Sequence, residues 1–201
     1  MGQADIVLLV VISTLAGLAM PAGALLATYK GIQPRWIEKE LRHGILALGA
    51  GALISAVGLV LVPEGVKDVS IPTALLCFVG GALAFMALDI YLAKKKTAGS
   101  QLMAMLTDFV PESIALGATA ALGGGTMLLG ALIAVQNLPE GFNAFREMLP
   151  KNKKRSGKLI GLFAVMALLG PLCSLIGFYY LVHYPVIVSG IMLFAAGGIL
   201  Y

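Results

Sequence analysis

The feature that most constrains this chain is a series of long apolar segments that recurs along its whole length. Seven segments reach the roughly 20 residues that an α-helix needs to cross the hydrocarbon core of a bilayer. They comprise residues 6–28, 44–62, 71–93, 102–122, 126–145, 159–182 and 184–201. The sequence therefore predicts an all-α, polytopic membrane helix bundle that forms a single domain over residues 1–201.

Composition excludes the class of ordinary soluble domains. Hydrophobic residues make up 59% of the chain, charged residues only 12%, and the mean hydropathy is +0.95. Cys77 and Cys173 lie within apolar stretches and far apart in sequence, so we interpret them as reduced packing residues. No basic region precedes the first apolar segment, which predicts a retained span instead of a cleaved signal peptide.

The basic residues indicate an orientation in the membrane. If the N-terminus lies outside, all but one of the fourteen lysines and arginines fall in cytoplasmic loops, and only Lys67 faces outward. The cytoplasmic set comprises Lys30, Arg35, Lys39, Arg42, Lys94, Lys95, Lys96, Arg146, Lys151, Lys153, Lys154, Arg155 and Lys158. Positive charge on one side predicts an extracytoplasmic N-terminus and a multi-pass protein of the cell membrane. It also explains the pI near 9.1 without a nucleic-acid partner.

Two polar motifs interrupt the fourth and fifth apolar segments. Residues 108–113 are Asp-Phe-Val-Pro-Glu-Ser, and residues 136–141 are Gln-Asn-Leu-Pro-Glu-Gly. In each motif the first polar residue and the glutamate are four apart and share one helix face. Three glycines at 123–125 lie between the motifs and predict a tight hairpin turn.

The hairpin predicts which of these side chains lie at the same depth. Counted from Gly124, Glu112 and Gln136 are each twelve residues away, and Asp108 and Glu140 are each sixteen. Antiparallel helices would therefore stack them as two facing layers, roughly 18 and 24 Å from the turn. Both depths are within a hydrocarbon core about 30 Å thick.

Burying acidic side chains at this depth costs free energy that another interaction must offset. Each costs about 2.5 to 3.5 kcal/mol at the centre of a membrane helix, and no lysine or arginine is at hand. The two prolines also free the carbonyls of Thr107 and Val135 from their helical partners. A divalent cation would use all three carboxylates, which predicts a metal site formed by Asp108, Glu112, Gln136 and Glu140. The alternative for either motif alone is a proline kink with protonated or hydrogen-bonded acids.

These paired Pro-Glu motifs resemble those of the ZIP family of zinc and iron transporters, of bacterial type. The resemblance implies eight membrane helices, of which seven are visible here, and a metal site between the fourth and fifth. We accordingly expect the natural protein to continue beyond Tyr201 with another helix. Asp108 stands where the family usually has histidine, Phe109 where a second metal would require asparagine, and Gly170 where another acid is common. The resemblance to a two-metal centre therefore fails, and one site is expected.

Three function hypotheses follow from the motifs. The leading one is a transporter that moves a divalent metal, zinc or iron by the resemblance, into the cytoplasm; the metal is the substrate and no cofactor is expected. The all-oxygen ligand set by itself suits Mn²⁺ or Mg²⁺. The alternative is a non-transporting, metal-sensing or partner subunit with a degenerate site. An enzyme is not expected, because no protease motif and no catalytic residues are evident.

Other features leave more than one interpretation open. Glu64 and Asp68 either collect cations at an outer entrance or are solvated loop acids. Asp89 either lines an exit or pairs with the lysines at 94–96. Faces rich in small residues permit a homodimer in the lipid bilayer, but they equally serve packing within one chain.

Overall fold

The computed structural model describes residues 3–28, 35–95, 98–148 and 156–201, and every secondary-structure element in these ranges is helical. This confirms the all-α prediction for the described part of the chain. The helices are α1 (Gln3–Ala27), α2 (Arg35–Ala56), α3 (Val62–Gly65), α4 (Ile71–Lys95), α5 (Ala98–Ala121), α6 (Thr126–Met148), α7 (Ser156–Ala167), α8 (Leu169–Tyr179) and α9 (Pro185–Leu200). Six of the basic residues used to predict orientation, Lys30, Lys96, Lys151, Lys153, Lys154 and Arg155, lie outside these ranges.

Four stretches within the described ranges are both long and apolar enough to cross a membrane. They are Asp5–Ala27, His43–Gly65, Ile71–Lys94 and Ser156–Tyr179, and Pro185–Leu200 is a shorter apolar helix. The helices α5 and α6 have sufficient length, 24 and 23 residues, but carry the polar motifs. The protein is thus a helical membrane bundle, while seven spans and an outer N-terminus remain predictions.

Two of the predicted spans are interrupted where proline removes a backbone donor. The second widens into a π-helix at Val57–Leu61, where the Val62 N–H donates to the carbonyl of Val57 just before Pro63. The sixth consists of α7 and α8, which meet at Leu168. Pro171 follows this break and cannot donate to the carbonyl of Ala167, which favours an interruption there.

Small residues set the closest helix contacts. A Cβ at Gly130 of α6 would overlap the side chain of Ile12 in α1, and one at Gly141 would overlap the carbonyl of Met20. These contacts run in the same order along both helices, so α1 and α6 are parallel neighbours. Close approach through small side chains is how membrane helices gain packing energy.

The helices α5 and α8, and likewise α4 and α9, also pack as parallel pairs. The contacting residues run in the same order along both helices of each pair: Phe109 with Gly170 and Ala118 with Gly177, and Gly81 with Phe194 and Phe85 with Gly198. The polar motifs are therefore held between α1 on one side and α8 on the other. This packing places the candidate site inside the bundle.

Candidate cation site between α5 and α6

The two motif helices are joined by the predicted glycine turn. Gly123 adopts the left-handed conformation, with φ of +71°, and the Gly124 N–H donates to the carbonyl of Thr119 over 2.9 Å. Glycine reaches this conformation without the strain that a Cβ imposes, so it is the usual residue after a helix end. The turn makes α5 and α6 antiparallel neighbours, as the two-layer prediction requires.

The layer nearer the hairpin turn, here called the inner layer, consists of Glu112 and Gln136, which are in direct contact. Gln136 Nε2 donates a hydrogen bond of 2.5 Å to Glu112 Oε2, and neither residue has any exposed surface. Their other oxygens, Glu112 Oε1 and Gln136 Oε1, have no hydrogen-bond partner among the described residues. A buried acceptor without a partner costs about 1 to 3 kcal/mol. This pair therefore holds two unsatisfied oxygens that a cation could bind.

The second layer consists of Asp108 and Glu140, both partly buried. Their carboxyl groups and that of Glu112 lie near enough to one another to interact electrostatically. The three acids thus share one region between α5 and α6. No three acid, histidine or cysteine side chains in the described ranges are close enough to hold a metal as they stand. The four predicted ligands are neighbours, but their carboxylates do not form a finished chelate.

The second polar residue of the α6 motif has a structural partner that the sequence did not indicate. Asn137 Nδ2 donates to the carbonyl of Ala16 in α1 over 2.9 Å, and Asn137 is buried. The bond satisfies an interior amide and joins the motif helix to α1. Neighbouring Gln136 faces α5, so the two amides of the motif have different partners.

Phe109 fills the space on the α8 side of the site. Its ring is 1% exposed, and a Cβ at Gly170 would lie 2.9 Å from Phe109 Cζ and 2.8 Å from the carbonyl oxygen of Ser13. The two departures from the family pattern are therefore in contact with each other. The Phe109 ring therefore occupies the side of α5 that packs against α8.

Asp108 borders a cavity of about 190 Å³ that it shares with Asp89. Tyr201 also lines this cavity, and its hydroxyl lies 3.4 Å from Asp89 Oδ2. Asp89 thus lies beside a cavity next to the site, whereas Lys96 of the alternative pairing lies outside the described residues. The contact with Tyr201 spans 112 residues, so no local sequence pattern could indicate it.

Glu64 and Asp68 lie at the other end of the bundle, beside the α5–α6 turn. Both line a cavity of about 440 Å³ together with Gly123, Gly124 and the first residues of α9. Glu64 forms an ion pair of 2.7 Å with Lys67. An exposed pair of this kind contributes at most about 1 kcal/mol to stability. These acids are separate from the four predicted ligands.

The chain matches no protein-family model, and no curated protein is significantly similar to it. The comparisons therefore assign neither a family nor an activity.

Proposed function

We propose that this protein carries a divalent metal ion across the membrane through a site formed by Asp108, Glu112, Gln136 and Glu140. The observation that carries the proposal is the buried Glu112–Gln136 pair, whose two remaining oxygens have no partner. Two further carboxylates lie near enough to interact with that pair electrostatically. The resemblance of the two Pro-Glu motifs to the ZIP family supports the same function.

Charge balance favours a cation-binding role for these acids over a purely structural one. A hydrogen-bonded kink would need no third carboxylate beside Glu112 and Glu140, and repulsion among ionised acids opposes such clustering. A divalent cation reverses the sign of that interaction, because each carboxylate then attracts it. Binding would draw Asp108 and Glu140 toward the inner layer and complete a shell that is open without the ion.

The cavity beside Asp108 supports a route to one side of the membrane. It brings open space to the second layer, whereas Glu112 and Gln136 are enclosed. A site that is reached from one side at a time is the requirement for alternating access. The ion would be an oxygen-preferring or borderline metal such as Mn²⁺, Fe²⁺ or Zn²⁺.

Glu112→Gln tests the proposal, because it removes a charge while keeping the size of the side chain. Purified protein in lipid vesicles should take up Zn²⁺ or Mn²⁺, and the variant should lose at least about tenfold in uptake. The matched control is Asp68→Asn, an exposed acid outside the site, which should keep uptake within about twofold of the unaltered chain. Absence of uptake of every divalent ion by the unaltered chain would refute the proposal.

A second candidate is a metal-sensing or partner subunit that binds without transporting. It is favoured by the absence of a finished three-residue chelate among the described side chains. Equilibrium binding of Zn²⁺ or Mn²⁺ without uptake in the same vesicles would select this function over the first.

A further inference from the structure

Asn143 is a buried polar residue on α6 that the site described so far does not use. It follows Glu140 by three residues and Gln136 by seven, so all three lie along one face of the helix. Asn143 is 9% exposed, and its Oδ1 has no hydrogen-bond partner among the described residues. An unsatisfied amide oxygen therefore lies within the bundle, one turn beyond Glu140.

Packing alone does not account for an asparagine here. Leucine has the same branched shape and would lose no hydrogen bond, whereas an unsatisfied buried carbonyl costs about 1 to 3 kcal/mol. Asn137, on the same helix, shows the contrasting case, because its amide donates to Ala16 and so joins two helices. The buried Oδ1 of Asn143 thus destabilises the fold, and no contact among the described residues offsets this cost.

The unsatisfied oxygens on α6 form a series. Gln136 Oε1 and Asn143 Oδ1 are seven residues apart, roughly 10.5 Å along the helix axis, and Glu140 lies between them. The exposed Glu147 continues this face one turn further. A polar stripe consequently extends from the enclosed layer toward the end of α6 that is remote from the hairpin.

We propose that Asn143 Oδ1 is a second, transient ligand, which receives the cation from Glu140 and passes it toward the C-terminal end of α6. This inference rests on the proposed transport function and names a step within it. A neutral carbonyl binds a divalent ion less strongly than a carboxylate does, so it lowers the barrier to leaving the site without trapping the ion.

Asn143→Leu separates this role from packing. With the variant reconstituted in lipid vesicles, the maximal rate of Zn²⁺ and Mn²⁺ uptake should fall about tenfold. The equilibrium Kd of the main site for either ion should stay within about twofold. The midpoint of thermal unfolding should rise, because an unsatisfied polar atom is removed from the interior. Asn137→Leu is the matched control and should lower that midpoint, since it breaks the bond to Ala16.

Asn143→Asp gives an independent test that keeps an oxygen at the position. The added charge should hold the ion longer, which tightens equilibrium binding and slows turnover. Unchanged maximal uptake in both Asn143 variants would overturn the inference and leave the proposed function standing. An equal loss of equilibrium binding and uptake in Asn143→Leu would also overturn it, because Asn143 would then belong to the main site. No uptake by the unaltered chain would overturn the transport function and this step together.

Discussion

Asp108 differs from Glu112 and Gln136 in the space beside it. The inner pair is fully enclosed, whereas Asp108 borders the cavity that it shares with Asp89. A substitution next to open space can place a different group without displacing packed neighbours, unlike a substitution inside a filled core. Asp108 is therefore the residue at which the ligand set can be changed while the helices stay in position.

We predict that Asp108→His shifts metal preference toward zinc and away from manganese. An imidazole nitrogen is a borderline ligand, a carboxylate is a hard one, and the replacement also removes a negative charge. Asp108→Ala should instead weaken both ions, because water must then complete the shell. Competition between Zn²⁺ and Mn²⁺ for uptake measures both effects, with Asp68→His, at an exposed acid outside the site, as the control. If Asp108→His left affinity and selectivity unchanged, the ion would have to rest on Glu112, Gln136 and Glu140 alone.

Single residues show where sequence reasoning succeeds and where it stops. Counting from the glycine turn was sufficient to pair Glu112 with Gln136, because antiparallel helices convert equal sequence offsets into equal depth. The contact between Asn137 and Ala16 joins residues 121 apart and depends on how α1 packs. No spacing within a motif encodes such a contact, so the sequence alone could not predict it.

At the scale of helices, hydropathy located the apolar segments but not the breaks inside them. The sixth predicted span is two helices, and the second contains a π-helix, because proline disrupts the hydrogen-bond series without making the segment less apolar. The break between α7 and α8 brings Gly170 against both Ser13 of α1 and Phe109 of α5. Three helices thus meet beside the site at a residue that has no side chain.

Gly170→Ala should destabilise the bundle by about 1 to 3 kcal/mol, as overpacking of a filled core does. Its Cβ would lie 2.8 Å from a backbone oxygen of Ser13, which cannot turn away as a flexible side chain can. Gly161→Ala on α7 is the matched control, because a Cβ there meets no atom within 4 Å. Thermal unfolding in detergent should show a lower midpoint for the first variant and an unchanged or higher one for the second. Equal midpoints would contradict the tight three-helix contact.

At the scale of the whole molecule, the helix directions agree with regular alternation across the bilayer. The pairs α1 with α6, α5 with α8 and α4 with α9 are parallel. By contrast, α1 is antiparallel to α7 and α8, because Gly17 lies against Ala167 and Ser13 against Gly170. Seven successive crossings would produce this pattern, with α2 and α3 sharing one crossing and α7 and α8 another. The polar helices α5 and α6 would then cross the bilayer together as a hairpin, shielded from lipid by their neighbours.

This arrangement predicts which surfaces are accessible from each side. With the native cysteines replaced, single cysteines at Asp5 and Asp68 should react with a membrane-impermeant maleimide in intact cells. Cysteines at Glu40 and Lys158 should react only after permeabilisation, because the basic loops near them are predicted to be cytoplasmic. Labelling in the reverse pattern would invert the orientation, and labelling of Asp5 and Asp68 from opposite sides would contradict the crossing count. Either result would move the Asp108 cavity to a different face and with it the predicted direction of metal release.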